Sequence, residues 1–124
     1  MGYRSDVAIV MKEKDFHAML EEVKQAEIEW LNDWILSAYN HPEVKNKPFS
    51  ELNPQADDYQ WIVLYWEWVK WYDDYQEVAF IENFLQKINQ YDFIRIGEND
   101  DDTEIIYKSQ NYLIGVERRI TFDV

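Results

Sequence analysis

Residues 59–72 have the sequence Tyr-Gln-Trp-Ile-Val-Leu-Tyr-Trp-Glu-Trp-Val-Lys-Trp-Tyr, and this run decides the fold. Its β-branched and aromatic side chains are typical of a strand. Alternation places Trp61 and Val63 on one face and Trp66 and Trp68 on the other. Because both faces are apolar, the run predicts a central strand that is covered on both sides at least over its first half, and its length favours a β-bulge.

Patterns on the N-terminal side of this run predict a strand and one long helix. Residues 4–11 form an apolar run of small and β-branched side chains, which is typical of a buried strand. Between residues 16 and 38 the apolar positions follow helical spacing. We expect Asp15 to cap this helix and Pro42 to end it near Asn40.

Patterns on the C-terminal side predict a second helix and a meander of strands. Asp73-Asp74 begins a turn and can cap the helix, whose buried stripe is expected to be Val78, Ile81, Phe84, Leu85 and Ile88. Strands are then expected over residues 93–97, 104–108 and 112–122.

These elements predict an α+β fold in one domain, residues 1–124. The order is β-α-β-α-β-β-β. We expect a mixed, mostly antiparallel sheet of about five strands, with two helices packed on one face. The strand-helix-strand start predicts a right-handed crossover between parallel neighbours. A chain of 124 residues suits one domain and leaves no room for two ordinary ones.

Composition limits the possible functions. The chain has no cysteine, which excludes disulfides, thiolate zinc sites and cysteine catalysis. Residues 1–14 lack a signal-peptide pattern, and the longest apolar run is too short to span a membrane. We therefore predict a cytoplasmic protein. The net charge of −13 repels nucleic acid and anionic membranes and attracts basic surfaces.

The acidic turn of the last hairpin is the first candidate site. Asp100, Asp102 and Glu104 alternate as the first ligands of a calcium loop do. However, Ile105 and Asn111 stand where an EF-hand needs Gly and Glu, so the calcium motif fails. A hydrated hairpin tip and an acidic knob that binds a partner remain as alternative interpretations.

A second group of acids lies at the ends of the tryptophan-rich strand. Asp57-Asp58 precedes the strand and Asp73-Asp74 follows it. Solvation of the strand ends and helix capping explain these acids most simply. Alternatively, they join Glu77, Glu82 and the hairpin turn in one negative surface. Such a surface could imitate DNA phosphates and compete for a groove lined with Lys and Arg.

The remaining residue types favour packing over chemistry. Core packing is the favoured interpretation of the tryptophans in residues 61–71, and a partly exposed patch at a dimer or partner contact is the alternative. His17 and His41 have no serine and acid in a recognisable arrangement, and the three glycines do not form a phosphate loop. We therefore predict no catalytic residue, metal site or cofactor, and no enzymatic activity.

Three stretches carry a resemblance to a known group of proteins. They are Met-Gly-Tyr-Arg-Ser-Asp-Val-Ala-Ile-Val at residues 1–10, Val-Lys-Trp-Tyr at residues 69–72, and Phe-Ile-Arg-Ile-Gly-Glu at residues 93–98 followed by acids and Glu104. They resemble small proteins that bacteriophages and prophages encode. The resemblance implies a phage or mobile-element origin, and small acidic phage proteins are in turn similar to inhibitors of host defence, including anti-CRISPR and anti-restriction proteins.

The leading hypothesis is a non-enzymatic phage protein in the cytoplasm of a host bacterium. It would inhibit a host nucleic-acid-binding defence complex by presenting carboxylates to a basic surface, without binding nucleic acid or membrane itself. The residues predicted to bind the partner are Asp73, Asp74, Glu77, Asp100, Asp101, Asp102 and Glu104. The alternative is a small assembly module that forms a homodimer through its aromatic strand or a helix face.

Overall fold

The computed structural model describes residues 2–44, 61–99, 101–109, 115–116 and 120–121. The elements in chain order are β1 (Ser5–Lys12), α1 (Glu13–Ala26), α2 (Glu29–Tyr39), β2 (Trp61–Val69), α3 (Gln76–Leu85), β3 (Tyr91–Gly97), β4 (Thr103–Tyr107), β5 (Gly115–Val116) and β6 (Ile120–Thr121). The predicted α+β class is confirmed. The predicted acids Asp57, Asp58 and Asp100 lie outside the described residues.

The main sheet has the strand order β2-β1-β3-β4, and every neighbouring pair is antiparallel. Over the described residues it therefore has four strands, where about five in a mixed sheet were predicted. β1 is a central strand, as its apolar sequence suggests, whereas β2 lies at the edge of the described sheet. The predicted central position of β2 is therefore wrong for the described sheet. Its predicted coverage on both faces over the first half is confirmed, since Leu64 and Trp66 lie in one buried cluster and Trp61, Val63 and Tyr65 in the other.

β5 and β6 form a separate antiparallel ribbon, in which Gly115 pairs with Thr121. One continuous strand over residues 112–122 is therefore wrong. The alternating pattern of that stretch is equally compatible with two short paired strands, which explains the error.

The predicted long helix is two helices, because the backbone reverses at Glu27. This residue has the left-handed φ of 58° and ends α1, while its N–H bonds to the Lys24 carbonyl oxygen. Phe16 near the start of α1 stacks on Tyr39 at the end of α2, with ring centroids 5.0 Å apart, so the helices run in opposite directions. The reversal brings the chain back towards the end of β1.

This reversal also explains why the predicted parallel crossover is wrong. β2 begins opposite the last residue of β1, with Trp61 paired to Lys12, and therefore runs antiparallel to it. The predicted helix caps are wrong as well. Lys12 and Tyr75 occupy the N-cap positions of α1 and α3 without a side-chain hydrogen bond, and Asp15 lies inside α1.

The helices cover one face of the sheet and bury the main core against it. That core combines Val7, Ile9 and Met11 of β1 with the apolar faces of α1, α2 and α3. Val78, Ile81, Phe84 and Leu85 of α3 are buried, as the sequence predicts. Ile88, the last residue of the predicted stripe, lies beyond the end of α3 and is half-buried. The other face of the sheet carries a smaller buried cluster of Ala8, Val10, Val44, Trp61, Val63, Tyr65 and Ile94.

Three tryptophans stack between the helices and the end of β2. The ring centroid of Trp34 lies 4.5 Å from that of Trp66 and 6.0 Å from that of Trp71. Trp66 and Trp71 are 5.5 Å apart. Both are buried, and so is Trp61. Core packing is therefore the correct interpretation for these buried tryptophans.

Trp68 breaks the alternation of β2. Val7 pairs with Trp66 and Ser5 pairs with Val69, so Glu67 and Trp68 together lie opposite the single residue Asp6. This is the β-bulge that the length of the strand favours. The extra residue rotates Trp68 out of the face on which Trp66 lies and lets Val69 pack against the main core. The predicted placement of Trp68 beside Trp66 is therefore wrong.

Candidate acidic site

Three chain segments meet at the end of the sheet where β1 begins, and Tyr3 joins them. The Tyr3 N–H donates to the Tyr72 hydroxyl oxygen over 2.7 Å. The Tyr3 hydroxyl donates to Asp102 Oδ2 over 2.6 Å and accepts from the Asn99 N–H over 2.9 Å. Tyr3 thus connects the turn after β2 with the turn between β3 and β4, which are the two acidic turns of the sequence.

Gly97 permits this close approach. A Cβ atom at this position would collide with the Tyr3 hydroxyl and with the carboxylate of Asp102. Residue 97 therefore has to be glycine for the two acidic turns to meet through Tyr3.

Arg95 lies beneath the hairpin turn and binds two of its carboxylates. Its Nη2 donates to Asp102 Oδ1 over 2.6 Å, and its Nη1 donates to Asp102 Oδ2 over 3.1 Å. Its Nε donates to Glu104 Oε1 over 2.6 Å, and Nη1 also reaches Ser5 Oγ at 3.0 Å. The side chain is only 12% exposed, so it is a fixed part of the site.

These contacts determine the protonation states of Tyr3 and Asp102. The hydrogen bonds from Arg95 and then from Tyr3 hold the pKa of Asp102 below its usual value. Loss of solvation, together with the hydrogen bond to Asp102, raises the pKa of Tyr3. Tyr3 therefore stays a proton donor and Asp102 stays a carboxylate acceptor.

A cavity of about 360 Å³ opens beside Tyr3 and Asp102. Its lining consists of Tyr3, Trp71, Tyr72, Asp73, Glu82, Arg95, Asp102 and Glu104. Glu82 of α3 lines this cavity together with Asp73. Burial, then the charge and hydrogen bond of Asp73, then the charge of Glu104, raise the pKa of Glu82 to about 6. The charge of Arg95 lowers this pKa only in part.

We call the surface formed by Asp73, Asp74, Glu82, Glu98, Asp101, Asp102 and Glu104 the acidic end. Three of the predicted partner-binding residues, Asp73, Asp102 and Glu104, line its cavity. Asp74 and Asp101 are exposed in the two adjoining turns. Glu77 is half-buried in the first turn of α3, outside the cavity lining, and Asp100 lies outside the described residues.

Sequence reasoning missed Tyr3 and Arg95, which hold the acidic end together. Tyr3 and Asp102 are 99 positions apart, so no local pattern links them. Arg95 did leave a signal, because it is the single base between Lys87 and Lys108 and interrupts the apolar residues of a strand. A lone base beside many acids indicates a structural counter-charge.

A second acidic surface, which sequence reasoning did not single out, lies between α1 and α2. A groove of about 1030 Å³ has Leu20, Val23 and Ile28 among its lining residues, with Glu21, Glu27, Glu29 and Asp33 as its acids. Lys24 and His17 also line it. The negative charge of the chain is therefore concentrated in at least two places on the described surface.

The chemistry open to the cavity at the acidic end is limited. Glu82, with Asp73 beside it, can hold or release a proton near pH 6. The lining contains tyrosine hydroxyls but no serine, cysteine or histidine. Over the part of the chain that the structure describes, no three His, Asp or Glu side chains are arranged to hold a metal ion.

No described helix is long and apolar enough to cross a membrane.

Comparisons with protein-family models, with curated proteins and with solved structures find no match to this chain.

Proposed function

We propose that this chain is a non-enzymatic binding protein from a phage or prophage, acting in the cytoplasm of the host bacterium. It inhibits a host nucleic-acid-binding defence complex, because the carboxylates of the acidic end occupy the basic surface that normally binds phosphates. Lys and Arg contacts to phosphate dominate the affinity of such surfaces, so a rigid array of carboxylates can compete for them.

The observation that supports this proposal is the coherence of the acidic end. Two turns that are distant in sequence are held together by Tyr3. Burial first, and then the charges of Asp73 and Glu104 beside these turns, raise the pKa of Glu82 to about 6. Scattered surface acids would not act on one carboxyl in this way. Asp102 and Glu104 are paired with Arg95, which leaves Asp73, Asp74 and Asp101 as the predicted residues best able to meet cations of a partner.

Two variants of equal charge test the proposal. The first, D73N/D74N/D101N, removes three charges from the acidic end without touching the partners of Arg95. The second, E21Q/E29Q/D33N, removes the same number of charges from the α1–α2 groove. Wild-type chain is used to capture a host protein with salt-gradient elution, and each chain then competes with DNA for that purified protein in a gel mobility-shift assay.

We expect the acidic-end variant to need at least about tenfold more protein for the same inhibition, because each neutralised carboxylate removes a screened ion pair worth roughly 0.5 kcal/mol. The groove variant should inhibit like the wild type, and inhibition should weaken steeply with salt. An equal decrease of inhibition in both variants would show that only net charge matters. Unchanged inhibition in both variants would rule out the acidic end as the surface that binds the partner.

Self-association is a second candidate function, and the surface of α2 favours it. Trp30, in the first turn of α2, is 48% exposed. Aromatic residues are enriched at the centres of protein interfaces. Light scattering after size-exclusion chromatography tests this function. A dimer that persists in high salt and dissociates in a W30S variant would support it, and a monomer at all salt concentrations would exclude it.

A further inference from the structure

Trp68 is a backbone outlier at the surface of the sheet. Its φ is 60°, and Glu27 is the other non-glycine residue with a positive φ among those described. A bulky side chain in the left-handed region is strained, and glycine is the residue that this region favours. Trp68 is also 58% exposed, the highest value among the large hydrophobic side chains of the described residues.

Side chains from the neighbouring segments hold the bulge in place. The Trp68 N–H donates to Asp6 Oδ1 over 2.8 Å. Arg4 Nη1 donates to the Trp68 carbonyl oxygen over 3.3 Å, and the Arg4 N–H in turn binds Glu98 at the acidic end. Both backbone polar groups of Trp68 are thus bound, so the indole projects from a fixed point next to the acidic end.

The interior of the protein does not explain this arrangement. An indole that is more than half exposed gains little from packing, and a glycine at residue 68 would relieve the strain. Backbone strain that the fold does not need is a feature of functional sites. A β-bulge also serves to re-aim one side chain, as it does here.

The charged residues around Trp68 indicate the charge of a group that would bind to its ring. Glu67 precedes it in the bulge with a side chain that is 61% exposed, and Asp6 and Glu98 lie in the adjoining segments. His41 Nε2 lies 3.2 Å from Glu67 Oε1. The two nearby bases, Arg4 and Lys70, offset part but not all of the charge of the three carboxylates. A cation is therefore the complementary group for the exposed face of the indole.

We propose that Trp68 is the anchor on which a basic protein partner stacks an arginine side chain. Tryptophan is the best aromatic partner for a cation, and a planar guanidinium can stack on the ring while it pairs with a neighbouring carboxylate. The proposal rests on the proposed function, since it names the central contact with the basic partner. The acidic end then provides the charged rim around that anchor.

An octa-arginine peptide is the probe for this anchor. The chain has six tryptophans, whose indole N–H groups give separate NMR signals that single substitutions assign. We expect octa-arginine to shift the Trp68 signal most, and octa-lysine to shift it less because an ammonium group does not stack. W68G and W68A should each bind octa-arginine about three- to fivefold more weakly, the size of one exposed cation–π contact.

W30A is the matched control, because it removes the other well-exposed indole, and it should bind octa-arginine like the wild type. The urea midpoint of W68G should be no lower than that of the wild type and higher than that of W68A, since only glycine relieves the strain. Wild-type affinity in both W68G and W68A, or shifts centred on Trp30, would overturn the proposal.

The two proposals fail separately. If octa-arginine binds at Trp68 but D73N/D74N/D101N still inhibits DNA binding normally, the proposed function is wrong and the anchor stands. If inhibition needs the acidic end while W68G binds octa-arginine like the wild type, the anchor is wrong and the proposed function stands.

Discussion

At the scale of single residues, Arg95 and Tyr3 determine how the acids are arranged. Arg95 binds Asp102 and Glu104 directly, and Tyr3 ties Asp102 to the turn after β2. Without these two residues, the carboxylates would repel one another and the turns would separate. The acidic end is therefore a structured surface, although Arg95 is the single cation among the lining residues of its cavity.

Glu82 gives a pH-dependent prediction. Its pKa is about 6 in the fold against an ordinary value of 4.5, so the folded chain binds more protons between these pH values. Its contribution to the free energy of unfolding therefore falls as pH rises through this window. The full shift corresponds to about 2 kcal/mol, which partial exposure of Glu82 reduces to about 1 kcal/mol. We expect Glu82→Gln to be more stable than the wild type by this amount at neutral pH.

Urea unfolding at acidic and neutral pH measures the effect. Gln cannot ionise and can still donate a hydrogen bond to Asp73. The stability gain of E82Q over the wild type should therefore become smaller as the pH falls from about 6 to 4.5. Glu77→Gln is the matched control, because Glu77 is a half-buried carboxyl of the same helix outside the cavity. A gain in E82Q that does not depend on pH would contradict the assigned pKa.

At the scale of elements, the reversal at Glu27 decides the topology. Apolar spacing predicts a single helix because neither Gly nor Pro marks residues 26–28. The one signal is a gap in the apolar stripe between Val23 and Ile28, where Ala26 and Glu27 are exposed. The break at Glu27 reverses the chain, and β2 then runs antiparallel to β1. Because no Gly or Pro indicates this break, the sequence predicted a parallel pair instead.

Glycine at residue 27 should stabilise the fold. Glu27 ends α1 with a φ of 58°, a conformation that glycine adopts without a steric penalty. We expect Glu27→Gly to raise the free energy of unfolding by roughly 0.5 to 1 kcal/mol. Ala18→Gly, at an exposed position inside α1, should lower it by about 1 kcal/mol. Urea denaturation followed by circular dichroism tests both, and equal destabilisation would contradict the assigned reversal.

The sequence predicts local elements better than it predicts their assembly. The periodic patterns identify β1, β2, α3 and the hairpin of β3 and β4, because each depends on neighbouring residues. The edge position of β2 depends on pairing across long stretches of chain, which no local pattern records. The same holds for the site, since Asp73, Asp102 and Glu104 were identified as acids, whereas their joining through Tyr3 requires the folded sheet.

At the scale of the whole molecule, the charge of −13 acts against folding. Acids are concentrated both at the acidic end and around the α1–α2 groove, with few bases among them. Compacting a chain with this charge brings like charges closer together than they are in the unfolded state. The free energy of unfolding should therefore depend on ionic strength.

Sodium chloride should stabilise the protein. Raising its concentration from about 0.01 M to about 0.15 M shortens the Debye length from roughly 30 Å to roughly 8 Å, which screens this repulsion. We expect a higher urea midpoint at the higher salt concentration. The increase should be smaller in E21Q/E29Q/D33N, which carries less charge to screen. A lower midpoint in salt would mean that attractive ion pairs dominate the folded state.

The stacked indoles of Trp34, Trp66 and Trp71 have an optical consequence. Their centroids lie between 4.5 and 6.0 Å apart, close enough for the transitions of neighbouring rings to couple. The native protein should therefore carry an exciton signal in its ultraviolet circular dichroism spectrum, and this signal vanishes when the rings separate. Because one ring comes from α2, one from β2 and one from the segment after it, the chain contains its own spectroscopic reporter for the docking of helix on sheet.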